Sequence, residues 1–166
     1  MCRLIFGQGE RRSRKADLPP SDRVESAIRG PLRSELEKQM ALDLNMPILV
    51  VDDYKTMIRI IRNLLKQLGF DDVDEASDGT EAFGKMKERK YGLVISDWNM
   101  EPMTGYELLK LVRADTGLNK TPFIMVTAES KTENVIAAKK AGVNNYIVKP
   151  FNAQTLKGKI EAVFSD

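Results

Sequence analysis

The 166-residue chain has no histidine, a single cysteine, Cys2, and a single tryptophan, Trp98. Without histidine there is no Ser-His-Asp or Cys-His catalysis, no imidazole metal ligand, no imidazole pH switch and no phosphohistidine on this chain. One cysteine excludes an intramolecular disulfide and a thiolate zinc cluster. No apolar run approaches the roughly 18 residues needed to span a membrane. The stretch from Met1 to Glu10 is too short in apolar residues to be a secretory signal. Neither charge dominates, with 26 Lys plus Arg against 24 Asp plus Glu and a net of +2. That small excess is localised: residues 1–39 hold nine Lys or Arg and six Asp or Glu, a net of +3, and the remainder is at −1. The bulk of the chain therefore carries no basic footprint for nucleic acid. The hydrophobic fraction of 42% is that of a globular chain. What is left is a soluble, cytoplasmic protein whose chemistry rests on carboxylates, amines and hydroxyls.

The composition changes near residue 40. Only 12 of the first 39 residues are apolar, and Arg11, Arg12, Arg14, Lys15, Pro19, Pro20, Gly30 and Pro31 fall among them. Such a stretch buries too little surface to offset its ordering entropy, so residues 1–39 are expected to be a basic, disordered or weakly helical extension. From Met46 a regular alternation begins. Ile48–Val51 is a short β-branched apolar run, which predicts a buried strand. Lys55–Leu68 places Met57, Ile58, Ile61, Leu64, Leu65 and Leu68 on one helical face and stops at Gly69. The same reading gives strands at 73–76, 93–96, 123–127 and 146–148, and helices at about 80–88, 106–114, 132–141 and 153–164. Five strands each followed by a helix predict an α/β fold, a parallel sheet covered on both faces by right-handed crossovers.

In such a sheet the strands are apolar throughout, so chemistry shows at their carboxyl ends, where open α/β sheets bind ligands. The first strand ends in Asp52-Asp53, the third in Asp97, the fourth in Thr127 and the fifth in Lys149. Each has an ordinary explanation alone: Asp caps helices, Thr caps turns, and Lys-Pro leaves a strand. Together on one sheet edge they are hard to explain as caps. Three carboxylates in one crevice would raise one another's pKa, and a hard divalent cation relieves this; Mg²⁺ fits, since it takes one or two carboxylates, keeps waters and bridges to phosphate. Thr127 and Lys149 then supply a hydroxyl and a cation to a phosphoryl group. The chain has neither a G-x-x-x-x-G-K-[ST] loop nor a G-x-G-x-x-G helix start, which excludes a P-loop nucleotidase and leaves a dinucleotide site unsupported. A carboxylate can itself be the nucleophile, forming an aspartyl phosphate.

Four blocks carry a resemblance: Val50-Val51-Asp52-Asp53, Ile95-Ser96-Asp97-Trp98-Asn99-Met100, Met125-Val126-Thr127-Ala128-Glu129 and Tyr146-Ile147-Val148-Lys149-Pro150-Phe151. In order and spacing they resemble the signatures of response-regulator receiver domains, and among these the chemotaxis regulators of the CheY type. The resemblance covers about residues 46–164, within a domain read as 40–166. It implies a flavodoxin-like (βα)5 doubly wound sheet with strand order 2-1-3-4-5. It implies Asp97 as phosphoacceptor and Mg²⁺ held by Asp53, Asp97 and the backbone carbonyl of Asn99, with Asp52 acting through water. Lys149 and Thr127 would bind the phosphoryl group, and Tyr146 would swing into the space that Thr127 vacates. Asn99 and Glu129 would tune dephosphorylation, and Val135, Tyr146 and Lys159 would lie on the partner face. The implied partners are a CheA-like histidine kinase as donor and a flagellar motor switch protein as target. The chain would be a monomer and no enzyme beyond its own phosphotransfer and dephosphorylation.

Two departures from the family pattern stand out. Met-Pro is expected after Asp-x-Asn, whereas this chain reads Met100-Glu101-Pro102-Met103-Thr104-Gly105, with the proline displaced by one and an acid inserted. The family also begins just before its first strand, so Met40 reads as a biological start and residues 1–39 as upstream sequence, the rival being a basic tail that binds an acidic partner. Three functional readings stay open: a phosphorylation-switched binder of the motor, a phosphate sink that drains the kinase by self-dephosphorylation, and a non-motor signalling regulator.

Overall fold

A computed structural model describes residues 42–128 and 130–165. The expectations about residues 1–39 and about Glu129 lie outside the described residues.

The predicted alternation is present in full. In chain order the elements are β1 Ile48–Val51, α1 Lys55–Gln67, β2 Val73–Ala76, α2 Gly79–Glu88, β3 Leu93–Asp97, α3 Gly105–Ala114, β4 Phe123–Thr127, α4 Thr132–Ala141, β5 Asn145–Val148 and α5 Ala153–Phe164. All strand pairs are parallel, in the order β2-β1-β3-β4-β5. The first strand thus lies inside the sheet, and the chain reverses its winding direction there. The reversal opens a crevice between the carboxyl ends of β1 and β3, which are direct neighbours with Val51 opposite Ser96.

Burial follows the period-2 geometry of strands, even though the strand sequences are apolar at nearly every position. Ile48, Val50, Leu93, Ile95, Ile124 and Val126 face α1 and α5, where they pack with Ile58, Ile61, Leu65, Leu156 and Ile160. Leu49, Val51, Val94, Phe123 and Met125 face the other way, onto Ala82 and Met86 of α2 and Leu108, Leu109 and Val112 of α3. The helix ends use local chemistry. Asp78 accepts the Glu81 N–H at 2.9 Å, Asn152 accepts the Thr155 N–H at 2.8 Å, and Thr104 and Glu107 form a reciprocal capping box at α3. Gly69 and Gly142 close α1 and α4 in the left-handed region, at φ 95° and 92°.

Small differences from the sequence reading have steric causes. β3 extends one residue further, through Asp97, because the amide of Trp98 still pairs with Val126 O at 2.8 Å. β5 begins at Asn145, which pairs with Ile124. α3 begins at Gly105, where an added Cβ would lie 1.9 Å from the carbonyl oxygen of Asp97. Glycine here permits contact between the helix start and the end of β3.

Three side-chain arrangements were not readable from sequence. Arg113, at the end of α3, is half-buried with no carboxylate partner among the described residues. It donates to Gly142 O at 2.9 Å, Asn119 O at 3.1 Å, Thr121 O at 2.8 Å and Asn144 Oδ1 at 2.8 Å. Burial lowers its pKa. On edge strand β2, Asp74 accepts from Arg89 and from the Tyr91 hydroxyl, each at 2.7 Å, and Glu75 pairs with Arg62. Trp98 and Tyr106 stack with ring centroids 5.2 Å apart and planes 18° from parallel.

Candidate functional site

Four of the residues singled out by sequence meet at the carboxyl edge of the sheet. β1 delivers Asp52, which is 1% exposed; β3 delivers Asp97, at 7%; β4 delivers Thr127, at 1%. β5 delivers Lys149, whose amide donates to Thr127 O at 2.7 Å. The Lys149 ammonium lies 2.8 Å from Asp97 Oδ1 and 3.2 Å from Asp52 Oδ2, so one cation bridges two buried acids.

The remaining carboxylate oxygens are also engaged. Asn99 N–H donates to Asp97 Oδ2 at 2.9 Å, and Tyr54 N–H donates to Asp52 Oδ1 at 2.9 Å. Burial pushes the Asp52 carboxyl above the usual range, and the Asp97 charge adds to this, although the Tyr54 amide and Lys149 oppose it. For Lys149 burial is the largest single influence and lowers its pKa. The hydrogen bond and charge of Asp97, with those of Asp52, outweigh it and hold the ammonium above its ordinary value. The site is therefore a recessed pair of acids bridged by one lysine, with a buried hydroxyl beside it.

The placement of the other expected residues is mixed. Asp53 and Asn99 are exposed at the same end of the sheet. Among the described residues no group of three Asp, Glu, Cys or His side chains is set to hold a metal ion. Asp52 and Asp97 are buried with Lys149 between them, and Asp53 is exposed at the same end of the sheet. The donor chemistry still suits a hard cation. Carboxylate and carbonyl oxygens are at hand, and Mg²⁺ needs only one or two carboxylates because it retains water. Val135, Tyr146 and Lys159 come together, lining a groove of about 530 Å³ between α4, β5 and α5. Ile136 and Val148, near that face, are 47% and 40% exposed. The displaced proline follows a cis peptide bond at Glu101-Pro102, as Pro150 does at Lys149-Pro150.

Sequence reasoning missed Tyr54, which sets its amide on Asp52 and caps α1 without a side-chain hydrogen bond. An aromatic after an Asp-Asp pair gave no signal in an amphipathic pattern. It also missed the stacked partner of Trp98, eight residues along the chain, because no helical or strand period links those positions.

Comparison with known proteins agrees with the fold. The profile of the response regulator receiver domain matches residues 48–161. The chemotaxis protein CheY-3 of Vibrio cholerae is 51% identical over 123 residues, covering 74% of this chain and 95% of that protein. The chemotaxis protein CheY of Pseudomonas aeruginosa is 53% identical over 119 residues, covering 72% and 96%. The solved structure of the chemotaxis response regulator CheY4 of Vibrio cholerae superposes with a TM-score of 0.67 at 34% identity, covering 72% of this chain and 98% of that one.

Proposed function

The chain belongs to the response-regulator receiver family, and from that premise we propose that it is a phosphorylation-switched regulator in a chemotaxis pathway, with Asp97 as the phosphoryl acceptor. The observation that carries this reading is the lysine bridge between two buried carboxylates. A carboxylate can act as the nucleophile toward phosphorus, and the Lys149 ammonium 2.8 Å from Asp97 Oδ1 sets a cation where the phosphoryl charge would arrive. As a phosphoryl group joins Asp97, Lys149 and the buried Thr127 hydroxyl are the donors at hand for its oxygens. The acceptor oxygen attacks phosphorus, and the leaving group departs with the electron pair of its bond to phosphorus.

Mg²⁺ would be held by Asp53, Asp97 and the carbonyl of Asn99, with Asp52 through water, and would neutralise phosphoryl charge. Asn99 and Glu129 would set the rate at which water removes the phosphoryl group. The donor would be a CheA-like histidine kinase, consistent with a chain that has no histidine of its own. Its chemistry would be limited to its own phosphorylation and dephosphorylation.

The output surface would be the groove bearing Val135, Tyr146 and Lys159, through a coupled movement of Thr127 and Tyr146. Its partner would be a flagellar motor switch protein. No helix among the described residues is long and apolar enough to cross a membrane, and the site is proposed to work in the cytoplasm on a monomer. The groove, with exposed Ile136 and Val148 beside it, favours the switch over a phosphate sink.

Trp98 adjoins Asp97, so its fluorescence tests the central claim. Mg²⁺ is expected to change the signal, and a small phosphodonor to change it further. In Asp97→Asn the second change should vanish; its persistence removes Asp97 from the central role. A motor-switch peptide that binds more tightly in the presence of a phosphoryl mimic supports the switch, and no enhancement supports the sink.

A further inference from the structure

The acceptor lies in a recess. Asp52 and Thr127 are each 1% exposed and Asp97 is 7% exposed. A donor that delivers phosphorus to Asp97 must therefore leave its departing group at the rim. Among the exposed residues there are Tyr54, Asn99, Ala128 and Pro150. Tyr54 is the aromatic among them; Trp98 is half-buried and stacked on Tyr106.

Tyr54 is 64% exposed, the most open large apolar side chain among the described residues. Its backbone is fixed from both sides. The N–H binds Asp52 Oδ1, and the carbonyl accepts the amides of Met57 at 2.8 Å and Ile58 at 3.2 Å. Its ring makes no aromatic stack, and its hydroxyl no hydrogen bond, among the described residues. A backbone fixed on Asp52, one of the two acids that Lys149 bridges, thus sets an exposed ring with no aromatic stack among the described residues at the carboxyl end of β1.

Building on the phosphoacceptor reading, we infer that Tyr54 selects the donor by stacking on a flat heteroaromatic leaving group, the imidazole of a phosphohistidine. The phosphorylated ring carries a proton on its second nitrogen, and a cationic ring over an aromatic face is attracted by the ring quadrupole as well as by area burial. In the transfer the P–N bond breaks and its electron pair returns to the ring nitrogen. An Asp97 oxygen forms the new P–O bond, and neutral imidazole leaves with its remaining proton. Donors that leave as ammonia or acetate have no such face to offer. Tyr54 is on this view a specificity residue, distinct from the groups that bind the phosphoryl oxygens.

The test uses the full chain with Mg²⁺ and three small donors: N-phosphorylated imidazole, phosphoramidate and acetyl phosphate. Phosphorylation is followed by intact mass, which does not depend on Trp98. Tyr54→Ala and Tyr54→Leu are expected to lower the rate with phosphoimidazole about fivefold, the scale of one aromatic contact. Their rates with phosphoramidate and acetyl phosphate should stay within about twofold. Tyr54→Phe should keep the parent's preference, since the ring face and not the hydroxyl is used. Equal losses with all three donors, or no loss with phosphoimidazole, overturn the assignment of Tyr54. If the parent chain accepts phosphoryl from none of the three, the acceptor reading itself fails and takes this inference with it.

Discussion

Gly105 and Gly84 are both helical, and the same substitution should act on them with opposite sign. In an exposed helical position, Gly→Ala gains up to about 1 kcal/mol from reduced backbone entropy in the unfolded chain. At Gly84 in α2 a new Cβ meets nothing within 4 Å, so that gain is expected in full. At Gly105 the same atom would lie 1.9 Å from the Asp97 carbonyl oxygen, 3.0 Å from its carbon and 2.9 Å from Ser96 Oγ. Contacts under 3.0 Å are ones that real Cβ atoms essentially never make, so α3 and the end of β3 must separate by about 1 Å. The obstacle is backbone inside a close-packed layer and cannot rotate away. The cost belongs at the upper end of overpacking, about 3 kcal/mol, and exceeds the propensity gain. That corresponds to a fall in melting temperature on the order of 10 °C. Urea denaturation followed by circular dichroism gives the stability. Trp98 fluorescence in the native state reports the displacement, because Gly105 N–H donates to Trp98 O at 3.0 Å. Gly105→Ala within about 1 kcal/mol of the parent, with unchanged Trp98 emission, would refute the packing argument.

Removing Lys149 leaves two buried acids uncompensated, so Lys149→Met should destabilise by about 3 kcal/mol at pH 8. The deficit should shrink as pH falls, because burial raises the Asp52 carboxyl and its protonation removes an uncompensated buried charge, and Asp52→Asn in that background should restore much of it; a pH-independent deficit in urea midpoints contradicts this. Glu81 is lowered from its ordinary 4.5 to about 2 by Lys85 and by the amide and hydroxyl of Ser77. Its contribution is present above pH 4.5 and is lost as pH falls towards 2. Being largely solvated, it should amount to about 0.5 kcal/mol at most; Glu81→Gln should melt below the parent at pH 6 and match it at pH 2. Arg113→Met abandons four acceptors and should cost about 2–3 kcal/mol. Arg113→Lys should recover little in the same denaturation series, since one ammonium cannot span the separate carbonyls.

The fold was legible because its signal is long-range and redundant. Five apolar runs such as Ile48–Val51 and Phe123–Thr127, each followed by a helical pattern such as Lys55–Gln67, admit few other architectures. The site was legible in part for a related reason: a polar residue at the end of a parallel strand is an exception to an apolar rule, and Asp52, Asp97, Thr127 and Lys149 are such exceptions. What escaped depends on geometry between elements. Nothing in the run of letters says that Gly105 touches a carbonyl or that Arg113 binds four oxygens from two loops. Likewise, Asp53 looks equivalent to Asp52 in sequence. Both follow the end of β1, and only the path of the backbone there decides which of the two is buried.

The two edges of the sheet are chemically unlike. β2 carries Asp74 and Glu75 and is laced to Arg89 and Arg62, whereas β5, Asn145–Val148, has no charged residue. An unpaired strand edge is a template for another chain, and fixed charges are the common means of blunting it. Ion-paired charge therefore discourages pairing along β2, while the uncharged edge lies beside the groove that holds Val135 and Tyr146. Association of this domain along a sheet edge is thereby directed to one flank, and the opposite flank is kept clear of sheet extension.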